Sequence, residues 1–203
     1  MSITLYKNDL PANLDLGNVI AVDTETLGLN PLRDRLCLVQ ISSGDGNAHL
    51  VQFDGTNYDA PNLKKLLSNP KVKKIFHFAR FDIAALYQYL DVIATPLFCT
   101  KIASKLTRTY TDRHGLRDVV REFTGIELDK QQQSSDWAAP QLSEQQQIYA
   151  ANDVLYLHQV WQGMEERLLR EKRLDYARAC FEFVPTRAML DLNGWAEADI
   201  FQH

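Results

Sequence analysis

Asp23 and Glu25 stand two residues apart in V-I-A-V-D-T-E-T-L-G-L, the stretch from Val19 to Leu29. Four apolar residues rich in β-branched types run into this acid pair and Gly28 then breaks the pattern, which predicts a buried strand ending in a turn. Side chains two apart on a strand share a face, so both carboxylates leave the strand end together. Charges that close repel. A cation between them removes the conflict, and hard oxygen donors favour Mg²⁺, Mn²⁺ or Ca²⁺. An isolated D-x-E also occurs as a turn that merely caps a strand, so the remaining acids have to decide. Tyr149 and Asp153 are four apart in a helical pattern and share a face, which the apolar residues Ile148 and Ala151 turn inward. Asp82 falls near a helix start in F-H-F-A-R-F-D, where an anion is also tolerated electrostatically. These four acids come from three elements that one mixed sheet can bring to a common edge.

The elements that must position them follow from hydrophobic periodicity. Ile3 to Tyr6 reads as a short strand, the Val19 strand follows, and L-C-L-V-Q-I-S at 36–42 and Ala48 to Phe53 complete an antiparallel meander through short turns. The pattern then alternates. A helix opens at Pro61, Lys73 to Phe78 is a strand, and Phe81 to Leu90 is helical. Thr95 to Cys99 is a short strand, and helices follow over Lys101 to Leu106 and Gly115 to Phe123, the latter stopped by Gly125. Leu128 to Pro140 reads as a structured loop, 143–170 as one long helix, and Leu174 to Phe201 as helical with an interruption at Pro185. Alternating strands and helices imply parallel crossovers, hence an α/β fold with a mixed sheet flanked by helices. With 203 residues the expectation is one domain over 1–203, carrying a C-terminal helical tail at about 185–203.

Composition narrows the function classes. A formal net charge of −4 argues against holding long nucleic acid on a basic surface, but not against an enzyme that meets phosphate through bound metal and a few local cations. The N-terminal stretch has no signal-peptide pattern and no apolar run approaches the ~18 residues of a membrane span, so a cytoplasmic protein without membrane partners is expected. Cys37, Cys99 and Cys180 are odd in number and far apart, which predicts small core hydrophobes rather than disulfides or a zinc site.

D-T-E at 23–25, F-D at 81–82 and Y-A-A-N-D at 149–153 resemble the three motifs of the DEDD family of 3′→5′ exonucleases, in that family's order and spacing. One branch of the family has Tyr four residues before the last Asp, the other His five before it. Tyr149 and Ile148 make this chain similar to the tyrosine branch, the ribonuclease D group. T-D-R-H-G-L at 111–116, F-T-G-I-E-L-D-K at 123–130 and the Q-x-S-D-W of Gln133 to Trp137 agree. The resemblance departs from full-length ribonuclease D beyond residue 203, where such enzymes append helical nucleic-acid-binding domains, and so points to short members of the group. It implies a ribonuclease H-like fold, two divalent cations (Mg²⁺ or Mn²⁺), and degradation of short single-stranded RNA, dinucleotides especially, with DNA as a further substrate to be tested. It also implies a ring-shaped homo-octamer.

Carried over residue by residue, the resemblance has Asp23 bridging both metals, Glu25 and Asp153 completing one site, and Asp82 holding the second partly through water. Tyr149 orients or helps deprotonate the attacking water. An ordinary phenol, with a pKa of ~10, is a poor base, so metal must supply most of the activation. The substrate-binding candidates are Thr26, Leu29, His77, Lys101, Lys105, Arg108 and Gln133. Several have two readings. Leu29 is either a wedge between terminal bases or a packed turn leucine. His77 either meets sugar or phosphate or is a satisfied core histidine. Lys101, Lys105 and Arg108 form either a phosphate grip or a solvated helix face. Gln133 and Trp137 are expected to order the loop over the site, and Trp195, Ile200 and Phe201 either pack on their own subunit or contact another. Rival functions are exonuclease action on longer RNA or DNA, including RNA end trimming, and a non-catalytic nucleic-acid-binding module.

Overall fold

The computed structural model describes residues 2–129 and 135–202. Six strands form one sheet: β1 (Ile3–Lys7), β2 (Val19–Thr26), β3 (Leu36–Ser42), β4 (Ala48–Gln52), β5 (Lys73–Phe76) and β6 (Leu97–Cys99), in the order β1-β4-β3-β2-β5-β6. β3 runs antiparallel to both of its neighbours, and the pairs β1·β4, β2·β5 and β5·β6 are parallel. The expected meander is therefore present as β2-β3-β4, and the later strands extend it through helical crossovers. All seven residues of β3 are buried, which explains why its sequence is a continuous apolar run broken by one glutamine.

Helices α1 (Pro61–Ser68), α2 (Ala79–Leu90), α3 (Thr100–Thr107), α4 (Leu116–Thr124), α5 (Glu144–Leu155), α6 (Leu157–Arg170) and α7 (Leu174–Leu190) cover the sheet. Strand parity decides which face each β2 residue serves. Ile20 and Val22 join the large core with Ile83 and Leu86 of α2, whereas Ala21 packs with Ala151 and Val154 of α5. Asp23 and Glu25 share the parity of Ala21 and so face α5.

Three expectations of the fold need correcting, and the first is that Cys180, expected in the core with Cys37 and Cys99, is exposed on α7 while those two are buried. The helix expected over 143–170 is two helices that meet at Tyr156, whose backbone (φ −102°, ψ −5°) stays right-handed but departs from regular helical angles. The buried face of α5 fits the sheet through Ala150, Ala151 and Val154, whereas that of α6 packs Val160, Met164 and Leu168 into the core shared with α3 and α4, and one straight helix cannot serve both. Pro185 lies inside α7 without ending it. The departure from helical geometry comes later, in the π-type turn Asp191–Trp195, where Gly194 takes φ +100°.

α5 starts with a complete capping box: the Ser143 hydroxyl accepts from the Gln146 N–H, and the Gln146 side chain accepts from the Ser143 N–H. Because α5 carries Tyr149 and Asp153, its start sets their height above the sheet. Ser143→Ala is expected to cost about 1 kcal/mol, read as a fall of about 2–4 °C in Tm. An unchanged melt would mean the cap does not hold the helix.

Candidate active site

The cross-strand register builds the centre of the site. Asp23 pairs with Gln40 and Glu25 with Leu38, and a bulge between Glu25 and Thr26 then ends regular pairing and frees the strand end. Gln40, the glutamine inside the otherwise apolar β3, is fully buried and donates its Nε2 hydrogen to Asp23 Oδ2 at 3.2 Å. From above, α5 lowers Asp153 onto the same place. Each of Asp23, Glu25 and Asp153 offers a carboxylate oxygen, and the three oxygens lie within 4.8 Å of one another. All three residues are half-buried.

The fourth acid approaches differently. Asp82 is buried in the first turn of α2 and accepts the Thr24 hydroxyl hydrogen at Oδ1, 2.7 Å away. Thr24 has the opposite parity to Asp23 and Glu25, so Asp82 reaches the cluster from the α2 side of β2. It is not one of the three that meet within 4.8 Å, but burial raises its pKa and Asp23 is near enough to raise it further.

Electrostatics register this crowding. Burial pushes Asp23 up to about 7. Glu25 is raised well above the usual carboxylate range by burial and by the charges of Asp23, Asp153 and Asp82, and Asp153 by burial and Asp23. Burial also raises the Tyr149 phenol, with Asp153, Glu25 and Asp23 adding to the effect. Tyr149 is therefore a proton-holding hydrogen-bond donor beside the acids. Its ring lies 6.0 Å from that of buried Trp137. The loop bearing Trp137 is tied down by the Gln146 side chain donating to the Asp136 carbonyl (3.1 Å) and by Gln52 donating to the Ala139 carbonyl (2.8 Å).

The remaining sequence candidates divide. Leu29 is 87% exposed. Its loop is braced by Asp34, which accepts the Asn30 N–H at 3.0 Å and both Arg33 guanidinium contacts, at 2.7 and 2.9 Å. The Arg33 contact, with the Asn30 N–H, holds Asp34 down to about 2. A Cβ on Gly28 would stand 2.4 Å from the Asp34 carboxylate, so the glycine permits the brace. Thr26 donates to the Gly28 carbonyl. His77 bonds Thr100 through Nδ1 at 2.8 Å, and burial, with the Lys101 charge, presses its pKa down to about 3, so it stays neutral. Lys101 lies over the Phe78 ring, 4.0 Å from its centre, and Lys105 is exposed. Arg108 departs from the expectation of a surface phosphate grip. It is 4% exposed, with its guanidinium bonded to Glu122 (2.8 Å), Ser104 Oγ (3.0 Å) and the Arg113 carbonyl. Gln133 lies outside the described residues. Sequence reasoning missed Gln40 and Thr24, although a lone glutamine in an apolar strand and a threonine between two motif acids were both signals.

A family model described as 3′–5′ exonuclease matches residues 7–169. The chain belongs to the 3′–5′ exonuclease family. Ribonuclease D of Acidiphilium cryptum is 34% identical over 157 residues, which is 77% of this chain and 40% of that protein, so the chain spans about 40% of the length of this curated relative. Brucella melitensis NrnC, solved bound to pGG, matches with a TM-score of 0.96 at 56% identity, covering 100% of this chain and 99% of that one. The same NrnC with bound Mg²⁺ matches at 0.95 and 55%, covering 100% of both. The chain thus has the expected α/β ribonuclease H-like architecture, and none of the described helices is long and apolar enough to cross a membrane.

The raised acids make a prediction for the metal-free protein. A carboxyl whose folded pKa exceeds its unfolded value contributes stability below the unfolded pKa, near 4, and loses it as pH rises through the folded one, about 7 for Asp23. Thermal melts in chelator should therefore show Asp23→Asn raising Tm at pH 8 more than at pH 5. An equal effect at both would mean that burial does not raise Asp23 in the folded protein.

Proposed function

We propose that this chain is a metal-dependent 3′–5′ exoribonuclease that hydrolyses short oligoribonucleotides, diribonucleotides above all, to 5′-mononucleotides. The convergence of Asp23, Glu25 and Asp153, with Asp82 beside them, carries the reading. Such a donor set fits hard divalent cations, because four carboxylates balance two of them and nothing else among the described residues neutralises the crowd. Asp23, Glu25 and Asp153 would hold one cation, and Asp23 with Asp82 a second, Mg²⁺ or Mn²⁺. The cations would activate a water and stabilise the leaving oxygen of a phosphodiester.

The chain's own residues supply orientation. Gln40 fixes the Asp23 carboxylate and Thr24 that of Asp82, so neither rotates freely. Tyr149, its proton held by burial and by the acids around it, donates a hydrogen bond that aligns the attacking water rather than removing its proton. Thr26 holds the strand end through Gly28, so its contribution to binding is through the shape of the loop.

The preference for short RNA rests on Leu29. An apolar side chain left in solvent on a braced loop has little to do for the fold and is suited to wedge against a terminal base. NrnC bound to pGG supports this choice over trimming of longer RNA. Lys101 and Lys105 remain as cations for the strand's phosphates, and His77, kept neutral, braces Thr100 at the head of the same helix. We further propose a cytoplasmic protein that assembles as a homo-octamer, for which size-exclusion chromatography with light scattering is the check.

A time course on 5′-labelled RNAs of two to about seven nucleotides with Mg²⁺ tests the function. The dinucleotide should disappear fastest, and faster loss of the longest strands would favour end trimming instead. Asp23→Asn should abolish turnover, and unchanged activity would remove the site. Tyr149→Phe should lower kcat by about 100-fold with little change in KM. Leu29→Ala should raise KM for the dinucleotide about tenfold, in line with the ~1.5–3 kcal/mol of burying a leucine.

A further inference from the structure

The strand ends that carry the acids continue along the sheet. β2, β5 and β6 are adjacent and parallel, so the ends of β5 and β6, with Cys99 closing β6 and Phe78 and Lys101 just beyond, lie on the same edge as Asp23 and Glu25. There a cavity of about 740 Å³ opens between α3, α7 and the tail that follows Leu190. That volume lies within the ~300–1,000 Å³ of small-molecule sites.

Its walls are chemically unlike one another. α3 contributes Lys101 and Lys105, and neither pairs with a carboxylate among the described residues. Burial, with Lys105 beside it, lowers the pKa of Lys101, which marks a place short of negative charge. α7 and the tail contribute Phe183 and Phe201, their rings 5.8 Å apart, and the tail adds the Glu197 carboxylate. Phe78, also in the wall, holds a left-handed backbone (φ +71°) that a bulky aromatic residue rarely adopts and that tends to be kept at functional sites.

The wall formed by the tail is fixed. Arg80, two residues before Asp82, grips both Asp191 oxygens (2.5 and 2.7 Å) and donates to the Ala196 carbonyl at 2.9 Å. Arg187 bonds Asp191 (2.9 Å) and the carbonyls of Trp195, Ala196 and Ala198. The two arginines are therefore committed to the latch, and the two lysines are the cations left to meet a ligand.

We propose that this cavity is a second binding position for a single nucleotide, with its phosphate on Lys101 and Lys105 and its base against Phe183 and Phe201. Glu197 accepts hydrogen bonds from the sugar hydroxyls or the base edge. The assignment rests on the exonuclease reading, because that reaction releases nucleoside 5′-monophosphates beside the cavity. A free mononucleotide and one unit of a longer strand present the same chemistry here.

Cys180 provides a reporter in the unmodified full-length chain, since it lines the cavity and is exposed while Cys37 and Cys99 are buried. Its modification by dithiobisnitrobenzoate would be followed in chelator, with 5′-GMP or pGGG added. Saturable protection of at least fivefold is expected, with Lys105→Glu and Phe183→Ala each raising the protecting concentration about tenfold. Stronger protection by pGGG than by GMP assigns the position to a strand unit, and the reverse to free nucleotide. Either order supports the proposal. It is overturned by no protection up to millimolar ligand, by protection that both variants leave intact, or by a Cys180 that reacts only once an assembly is dissociated, which would mean another copy covers the cavity. Hydrolysis of pGG by the unmodified protein, measured separately, shows whether the exonuclease reading stands whatever happens here.

Discussion

Mutual repulsion among carboxylates is the constraint that shapes this molecule. Asp23, Glu25 and Asp153 are held close in a half-buried place where burial opposes their ionisation and neighbouring charges oppose that of Glu25 and Asp153 further. Hydrophobic burial elsewhere must overcome that cost. The structure does this by planting the acids on its best-packed elements: β2 is flanked by fully buried β3, and α5 is pinned by a capping box and by Ala150, Ala151 and Val154 against the sheet. A site built on a looser loop would relax by turning its acids outward, and would lose its affinity for cations with them.

Much of this was legible in the sequence because it depends on local periodicity. Residues two apart on a strand and four apart on a helix share faces by geometry alone, and the register Asp23↔Gln40 then puts both pairs on the α5 side. Other features depended on packing that spacing does not encode. The break at Tyr156 has no glycine or proline to announce it and arises because α5 and α6 pack on different partners. Pro185 carries a strong local signal that tertiary packing overrides, since Phe181, Val184 and Ala188 bury α7 on both sides of it.

Arg108 and Leu29 show where residue type misleads and where it informs. A basic cluster on a short segment suggests a phosphate grip, but burial turns Arg108 into a tie between Ser104, Glu122 and the Arg113 carbonyl, and that tie holds the segment from which Lys101 and Lys105 project. Leu29 illustrates the opposite. Leucine is ordinarily a core residue, so its exposure has meaning only because the loop beneath it is ordered, by an Asp34 whose position requires a glycine at 28.

Asp82 links the two halves of the molecule. Strand parity sets it on the far side of β2 from Glu25, so its carboxylate joins the cluster through Thr24 rather than by standing in the same row. The first turn of α2 is consequently pulled by three attachments: to β2 through Thr24, to the core through Ile83, and to the tail through Arg80 and Asp191. The tail is thus tied, through hydrogen-bonded and packed groups, to the same helical turn that presents a site carboxylate. The C-terminal segment is in this sense part of the scaffold of the acid cluster, even though none of its residues enters the cluster itself.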